Sequence, residues 1–213
     1  MGLNKLLPRS IRMALFYAKA KKLVANNSFS REEKIERIHK LEKSWIGDIT
    51  GIIRGTGEQD AAIVIGCKDV ASIYLQLQAP DDALRYLNAV ENVFPLILEK
   101  KSQSEAILEG FLFSLYHRGN AYAQKGQVDL CAQQFDRLNL TLNEQISNNP
   151  ANARLQDVYK YFNKQIFNTY INIAENYPNQ KQEVYRICLN QLKTFDKRDP
   201  GNEQIQGYIG RFS

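Results

Sequence analysis

Helical periodicity interrupted by a glycine is the feature that most constrains the fold of this chain. Residues 119–135 read GNAYAQKGQVDLCAQQF. Apolar or small residues recur every three or four positions on both sides of Gly126, and these spacings place side chains on one face of a helix. The face before the glycine comprises Leu115, Gly119 and Tyr122, and the face after it comprises Cys131, Phe135, Leu138 and Leu142. The stretch therefore predicts two helices joined by a very short turn.

The two glycines of this stretch have different predicted roles. Gly126 stands where the first helix must end, so we expect it to form a left-handed C-terminal cap, which glycine adopts without a side-chain clash. Gly119 lies in mid-helix, where a glycine costs about 1 kcal/mol relative to alanine. A close approach of the second helix, with Cys131 as the small opposing residue, would compensate for that cost.

Composition predicts a folded, mainly helical protein. The 213 residues are 44% apolar and 24% charged, with only six prolines and twelve glycines to interrupt helices. This length suits one domain or one small array, and the composition is not that of a disordered chain. The cysteines lie far apart, without the paired spacing of zinc or redox sites, so we expect them to be reduced and buried: Cys67, Cys131 and Cys188.

The central stretch resembles the tetratricopeptide repeat. The signature of that family has a small residue, a tyrosine three positions later, a glycine at the turn, and then a small and an aromatic residue on the second helix. These places are taken here by Gly119, Tyr122, Gly126, Cys131 and Phe135. One helix pair of this chain is therefore similar to one repeat of the family.

Two further stretches extend the resemblance over roughly residues 64 to 200. The upstream unit has Gln78 where the turn glycine is expected, and it matches at Ala71, Tyr74, Ala83, Leu87, Val90 and Pro95. The downstream unit has a longer turn, around ENYPNQKQ, and it matches at Tyr170, Cys188, Leu192, Phe195 and Pro200. The tyrosines of the three units are 48 residues apart, against about 34 in the family, which predicts longer helices. A generic helical bundle is the alternative architecture.

The resemblance implies an all-α fold of about eight or nine helices, arranged as antiparallel pairs in an α-solenoid or a bundle. In the family, the first helix of each pair lines a concave surface that holds a peptide or another protein. The corresponding positions here are Lys68 and Ser72, Tyr116 and Asn120, and Lys164 and Asn168. Chaperone-binding members have an asparagine at the place of Ser72, so a chaperone-tail clamp is not expected. Each of these residues taken singly also suits an ordinary solvated helix position.

The N-terminal region is basic. Residues 1–46 carry 11 Lys or Arg and 4 Glu, and no acidic residue precedes Glu32. On a helix from about Pro8 to Asn26, one stripe is apolar, with Leu7, Ile11, Ala14, Leu15 and Ala18. A second stripe is basic, with Lys5, Arg9, Arg12 and Lys19. Such a helix can bind a membrane surface or a nucleic acid, although a capping helix with a solvated basic face is the simpler interpretation.

The predicted organisation has four parts. Basic helices occupy residues 1–46, the second of them capped by Ser28 or Ser30. A glycine-containing connection covers 47–60, tetratricopeptide-like helix pairs cover 61–200, and a tail or short helix covers 201–213. The apolar run near Met13 is too short for a signal peptide or a membrane span, which favours a cytoplasmic protein. A secreted bacterial effector would have the same composition.

Enzymatic and metal-binding motifs are lacking in the sequence. Glu36 and His39 have the spacing of half a di-iron site, but the other histidine, His117, has Ser114 in place of the second glutamate. No nucleophile elbow, zinc-protease motif or dinucleotide fingerprint occurs, and no cofactor is predicted. The sequence therefore predicts a non-enzymatic interaction module that binds a protein or peptide. Binding of a membrane or nucleic acid through the basic N-terminal helix, and a self-associating array, are the alternatives.

Overall fold

The computed structural model describes residues 6–100, 104–196, 201 and 203–212 of the chain. These residues form α-helices and one short 3-10 helix and contain no strand, so the predicted all-α class is confirmed. The helices are α1 (Arg9–Ala25), α2 (Arg31–Trp45), α3 (Ile49–Ile52), α4 (Glu58–Gln76), α5 (Pro80–Val90), α6 (Val93–Lys100), α7 (Glu105–Gln124), α8 (Val128–Asn148), α9 (Ala153–Asn176), α10 (Lys181–Asp196) and α11 (Glu203–Phe212). The 3-10 helix, Pro178–Gln180, lies between α9 and α10.

The chain divides into two compact units between Ala121 and Tyr122, a point inside α7. The described residues contain eleven α-helices, against the eight or nine predicted. The four-residue helix α3 lies inside the 47–60 connection, and the helix after the first turn is divided into α5 and α6. The segment after residue 200 includes a short helix, α11.

Unit 1 contains two antiparallel helix pairs that pack side by side. The first helices, α1 and α4, contact each other, and each also packs on its own partner, α2 or α5. Gly66 allows α1 to approach α4 closely, since a Cβ built there would overlap Met13 Cγ. The basic N-terminal helices therefore form a further pair, upstream of the stretch that carries the sequence resemblance.

Helix α2 begins at a capping box. Ser30 Oγ accepts a hydrogen bond from the backbone N–H of Glu33, and the Glu33 carboxylate accepts one from the backbone N–H of Ser30. Two of the backbone donors that a helix start leaves unpaired are thereby satisfied. Of the two serines predicted as caps, the structure selects Ser30.

A buried carboxylate joins α2 to α4 and α5. Glu42 is 4% exposed and receives both terminal nitrogens of Arg85, with Nη2 2.7 Å from Oε2. Tyr74 Oη donates to the same Oε2 at 3.4 Å. Nearby, His39 Nε2 lies 2.9 Å from Asp82 Oδ1. These contacts hold the second helices of the two pairs together, because a buried carboxylate requires its partners.

The turns after α4 and α7 have the same backbone geometry. Gly126 has φ +68°, which confirms the predicted left-handed cap, and Gln78 has φ +50° at the corresponding place. The residue after each of them donates its N–H to a tyrosine carbonyl, Ala79 to Tyr74 at 2.9 Å and Gln127 to Tyr122 at 2.9 Å. This is the hydrogen bond of a Schellman motif. The first unit of the resemblance therefore makes its turn without a glycine.

Unit 2 packs α8, α9, α10 and α11 in succession. The Tyr177 ring lies against the turn before α8, where a Cβ at Gly126 would be 2.9 Å from Cε1, and its hydroxyl donates to the Gln124 carbonyl at 2.8 Å. The rings of Phe135 and Tyr170 meet edge to face at 5.6 Å between centroids. Cys131, Cys188 and Leu192 are fully buried, as their helical spacing predicts.

Candidate functional site

Four of the six predicted partner-binding residues lie in unit 1 and two lie in unit 2. Lys68 and Ser72 are on α4, and Tyr116 and Asn120 are on α7. All four side chains are partly buried. Lys164 and Asn168 are on α9, where Lys164 is exposed and Asn168 is partly buried.

The structure brings Lys68 on α4 together with aromatic residues on α7. Lys68 Nζ is 5.5 Å from the centroid of the Phe113 ring, a distance at which a cation is attracted to the face of a ring. The same nitrogen lies 2.5 Å from Asp69 Oδ1, and the two side chains are 17% and 31% exposed. An ammonium group has three donors, so one ion pair leaves donors for an acceptor from outside.

Three aromatic side chains form a cluster on α7 next to this lysine. The His117 ring lies 6.1 Å from the Phe113 ring and 5.6 Å from the Tyr116 ring, measured between centroids. Burial, together with the positive charge of Lys68, lowers the pKa of His117 from 6.5 to about 3. His117 is therefore neutral near pH 7, with one ring nitrogen as a donor and the other as an acceptor.

Helix α1 adds a tyrosine near the same place. Burial raises the pKa of the Tyr17 phenol, and the negative charge of the Asp69 carboxylate raises it further. We name the surface formed by Tyr17, Lys68, Asp69, Phe113, Tyr116 and His117 the lysine–aromatic face. Its residues come from α1, α4 and α7 of unit 1.

Sequence reasoning found Lys68 and Tyr116 but missed Phe113, Asp69 and Tyr17. Phe113 lies one turn before Tyr116, so its place beside the predicted position carried a signal. Tyr17 carried none, because nothing in the sequence showed that α1 packs on α4.

Most side chains of the predicted basic stripe of α1 contact other residues of unit 1. Arg9 Nη1 lies 2.9 Å from Asp60 Oδ1 and donates to the Ile52 carbonyl at 2.7 Å. Arg12 Nη1 is 3.4 Å from the Trp45 carbonyl, and Lys19 Nζ lies 5.3 Å from the Trp45 ring centroid. Lys5 lies outside the described residues. Arg9 and Arg12 therefore tie α1 to the connection and to the end of α2.

The half-site formed by Glu36 and His39 has protein partners. Glu36 pairs with Lys40, with 2.6 Å between Oε1 and Nζ, and His39 contacts Asp82. Within the described part of the chain, no group of three or more His, Cys, Asp or Glu side chains is placed to hold a metal ion. Burial raises the pKa of the thiols of Cys67, Cys131 and Cys188, so they are protonated near neutral pH.

Membrane-spanning segments were sought among the same described residues, and none of their helices combines the length and the apolar character needed to cross a bilayer. Comparison of the chain with protein-family models, with curated proteins and with solved structures found no match.

Proposed function

We propose that this protein is a non-enzymatic interaction module, built of tetratricopeptide-like helix pairs, that holds a peptide bearing a carboxylate on the lysine–aromatic face. The observation that carries the proposal is the position of Lys68, whose ammonium group is partly buried against the Phe113 ring. A partly desolvated ammonium beside aromatic rings suits a carboxylate with an apolar neighbour, such as a peptide terminus or an acidic side chain.

Helix pairing supports the tetratricopeptide-like architecture. The turns at Gln78 and Gly126 share one hydrogen-bond pattern at an interval of 48 residues. The positions that match the family signature at Ala71, Tyr74, Cys131 and Phe135 are all fully buried. In such pairs the first helices carry the binding surface, and α1, α4 and α7 supply the lysine–aromatic face.

Neutral and aromatic groups complete the proposed surface. His117 offers a donor and an acceptor near pH 7, since burial and the Lys68 charge keep it unprotonated. Tyr116 and Asn120 stand one turn apart on α7, and Ser72 stands one turn after Lys68 on α4. These groups suit the backbone of an extended peptide, whose N–H and C=O groups need partners. The same proposal assigns Lys164 and Asn168 of α9 to peptide binding in unit 2.

A peptide library tests the proposal directly. Peptides with free C-termini are selected on the full-length protein, and the best binders are remeasured with amidated C-termini and with their acidic side chains replaced. We expect removal of the essential carboxylate, or Lys68→Met in the protein, to weaken binding at least about tenfold, since each leaves one partner of a charge pair uncompensated. Replacing Lys68, Asn120 and Lys164 together should weaken it further.

Lys160→Met is the matched control, because Lys160 is an exposed lysine on α9 outside the predicted binding positions. It should leave affinity unchanged. Selection of no peptide, or of peptides that bind wild type and the Lys68→Met variant equally, would remove the assignment of this face.

A further inference from the structure

Helix α1 carries a second surface, on the side opposite to its buried face. Met13, Phe16 and Ala20 are at most 1% exposed and form the side that packs on the rest of unit 1. Ile11, Ala14, Leu15 and Ala18 lie on the opposite side and are exposed. The apolar stripe visible in the sequence is therefore not the side that the fold buries. The helix is therefore apolar on two sides, and the described residues cover only one of them.

Exposed apolar side chains are concentrated at this end of the described chain. Leu6 is 81% exposed, Leu7 37%, Ile11 45% and Leu15 38%. Half of the eight large apolar side chains exposed among the described residues thus fall within ten positions, whereas the other four are scattered: Leu96, Leu130, Leu140 and Tyr161. Scattered exposed leucines are ordinary on a protein surface, but a continuous patch indicates a contact with something apolar.

Lysines accompany this apolar patch. Lys22 follows Leu15 by seven residues and Lys21 follows Ala14 by seven, so both lie on the same side of α1 as the patch. Both are exposed. The stretch from residue 6 to residue 31 contains no acidic residue that would oppose an anionic surface.

We propose that Leu6 and Leu7, just before α1, and the face of α1 formed by Ile11, Leu15, Lys21 and Lys22 lie in the interface of an anionic lipid bilayer. The apolar side chains enter the boundary between headgroups and acyl chains, and the lysines meet lipid phosphates and carboxylates. Arg9 and Arg12 take no part, because their guanidinium groups are bound within unit 1.

Charge decides between a bilayer and a second copy of the chain. Two α1 faces brought together would bury their leucines, but residues 6–31 would offer the lysines no acidic group to pair with. An anionic membrane satisfies both the apolar and the basic parts of the face. The exposed apolar side of α1, with lysines beside it, suits a helix that lies in the interface plane.

The test is co-sedimentation of the full-length protein with vesicles of phosphatidylcholine containing phosphatidylserine, compared with vesicles of phosphatidylcholine alone. We expect binding to the anionic vesicles that falls with added salt. Ile11→Ser/Leu15→Ser should weaken it by about tenfold or more, because inserted apolar area is lost. Lys21→Gln/Lys22→Gln should also weaken it by about tenfold or more, since each lysine near an anionic surface contributes about fivefold.

Matched controls are Leu140→Ser, at a 67% exposed leucine on α8, and Lys160→Gln on α9. Both should bind anionic vesicles as wild type does, and circular dichroism should show unchanged helix content in all four variants. Absence of vesicle binding, or binding that both α1 variants retain, would overturn the proposal. Self-association of the wild type in sedimentation without lipid, abolished by Ile11→Ser/Leu15→Ser, would instead assign the face to a second copy.

Discussion

The two units differ in the ion pairs described between their helices. In unit 1, charged groups cross between helices, with Arg85 bound to Glu42 and Arg9 bound to Asp60. Aromatic rings meet in both units, Tyr74 against Tyr86 in unit 1 and Phe135 against Tyr170 in unit 2, where the Tyr177 ring also lies against the turn before α8. A buried carboxylate such as Glu42 needs its charged partner, whereas a closely packed ring such as Tyr177 leaves no space for a larger neighbour. The two units should therefore respond to opposite kinds of substitution, loss of a partner in unit 1 and gain of volume in unit 2.

Removal of Arg85 should have the largest effect. Arg85→Ala leaves the Glu42 carboxylate, only 4% exposed, without its bidentate partner. We expect the free energy of unfolding to fall by about 3 kcal/mol, since an unpaired buried charge is strongly destabilising. Urea unfolding followed by circular dichroism measures this.

Arg186 provides the contrast in unit 2, because it pairs with Glu183 on the surface of α10. Arg186→Ala should change the urea midpoint very little, since exposed ion pairs contribute little to stability. Equal losses from the two arginine substitutions would contradict the distinction between the units.

A single added methyl group should lower the stability of unit 2. In Gly126→Ala the new Cβ would stand 2.9 Å from the Tyr177 ring and the residue would have to keep φ +68°. We expect a loss of about 2 kcal/mol, from the left-handed conformation and from overpacking together. Denaturant unfolding of Gly126→Ala alone and combined with Tyr177→Ala separates the two causes. If adding Tyr177→Ala recovers none of the stability lost in Gly126→Ala, then the contact with the ring does not contribute to that loss.

Lowering the pH should reduce the stability of unit 1, because folding keeps His117 unprotonated. Its pKa is about 3 in the folded protein and 6.5 without burial, so between these values the unfolded chain binds more protons. Stability from this residue is therefore complete above pH 6.5 and is lost as the pH falls toward 3. Between pH 7 and pH 5 the loss should be on the order of 1–2 kcal/mol.

His117→Gln provides the comparison for this effect, because glutamine does not titrate. The variant should show a flatter dependence of urea-unfolding stability on pH over the same interval. Parallel curves for wild type and variant would contradict a neutral, buried His117.

Replacing Gln78, at the turn after α4, should have the smallest effect, and it should increase stability. Gln78 has φ +50°, a conformation that costs a residue with a side chain about 1 kcal/mol and costs glycine less. Gln78→Gly should raise the midpoint of thermal unfolding slightly, by an amount equivalent to about 0.5 kcal/mol after the greater flexibility of unfolded glycine is counted. A lower midpoint would show that the glutamine side chain stabilises this turn.

Helix positions and much of the core could be predicted because they depend on local periodicity. The buried positions Tyr74, Leu87, Cys131, Phe135 and Tyr170 follow their three- and four-residue spacings. The orientation of α1 could not be predicted, because the helix is apolar on two sides and only its packing on α4 decides which side is buried. Arg9 illustrates the same limit, since its partner Asp60 lies 51 positions away along the chain.

The candidate site was predictable only at the level of helix position. Lys68 and Tyr116 were found because the resemblance names positions on first helices. Neither the contact of Lys68 with the Phe113 ring nor the neutral state of His117 follows from spacing. Both depend on how closely α4 and α7 approach, which is a property of the packed structure.

The left-handed turns at Gln78 and Gly126 show that one backbone turn can form with or without a glycine. The hydrogen bond from Ala79 to the Tyr74 carbonyl fixes the chain reversal regardless of which side chain occupies the strained position. The Tyr74 and Tyr122 carbonyls that accept these hydrogen bonds are 48 residues apart, so the interval repeats even though only one turn has a glycine. Distant relatives of this chain could then share its turns while sharing almost none of its residues.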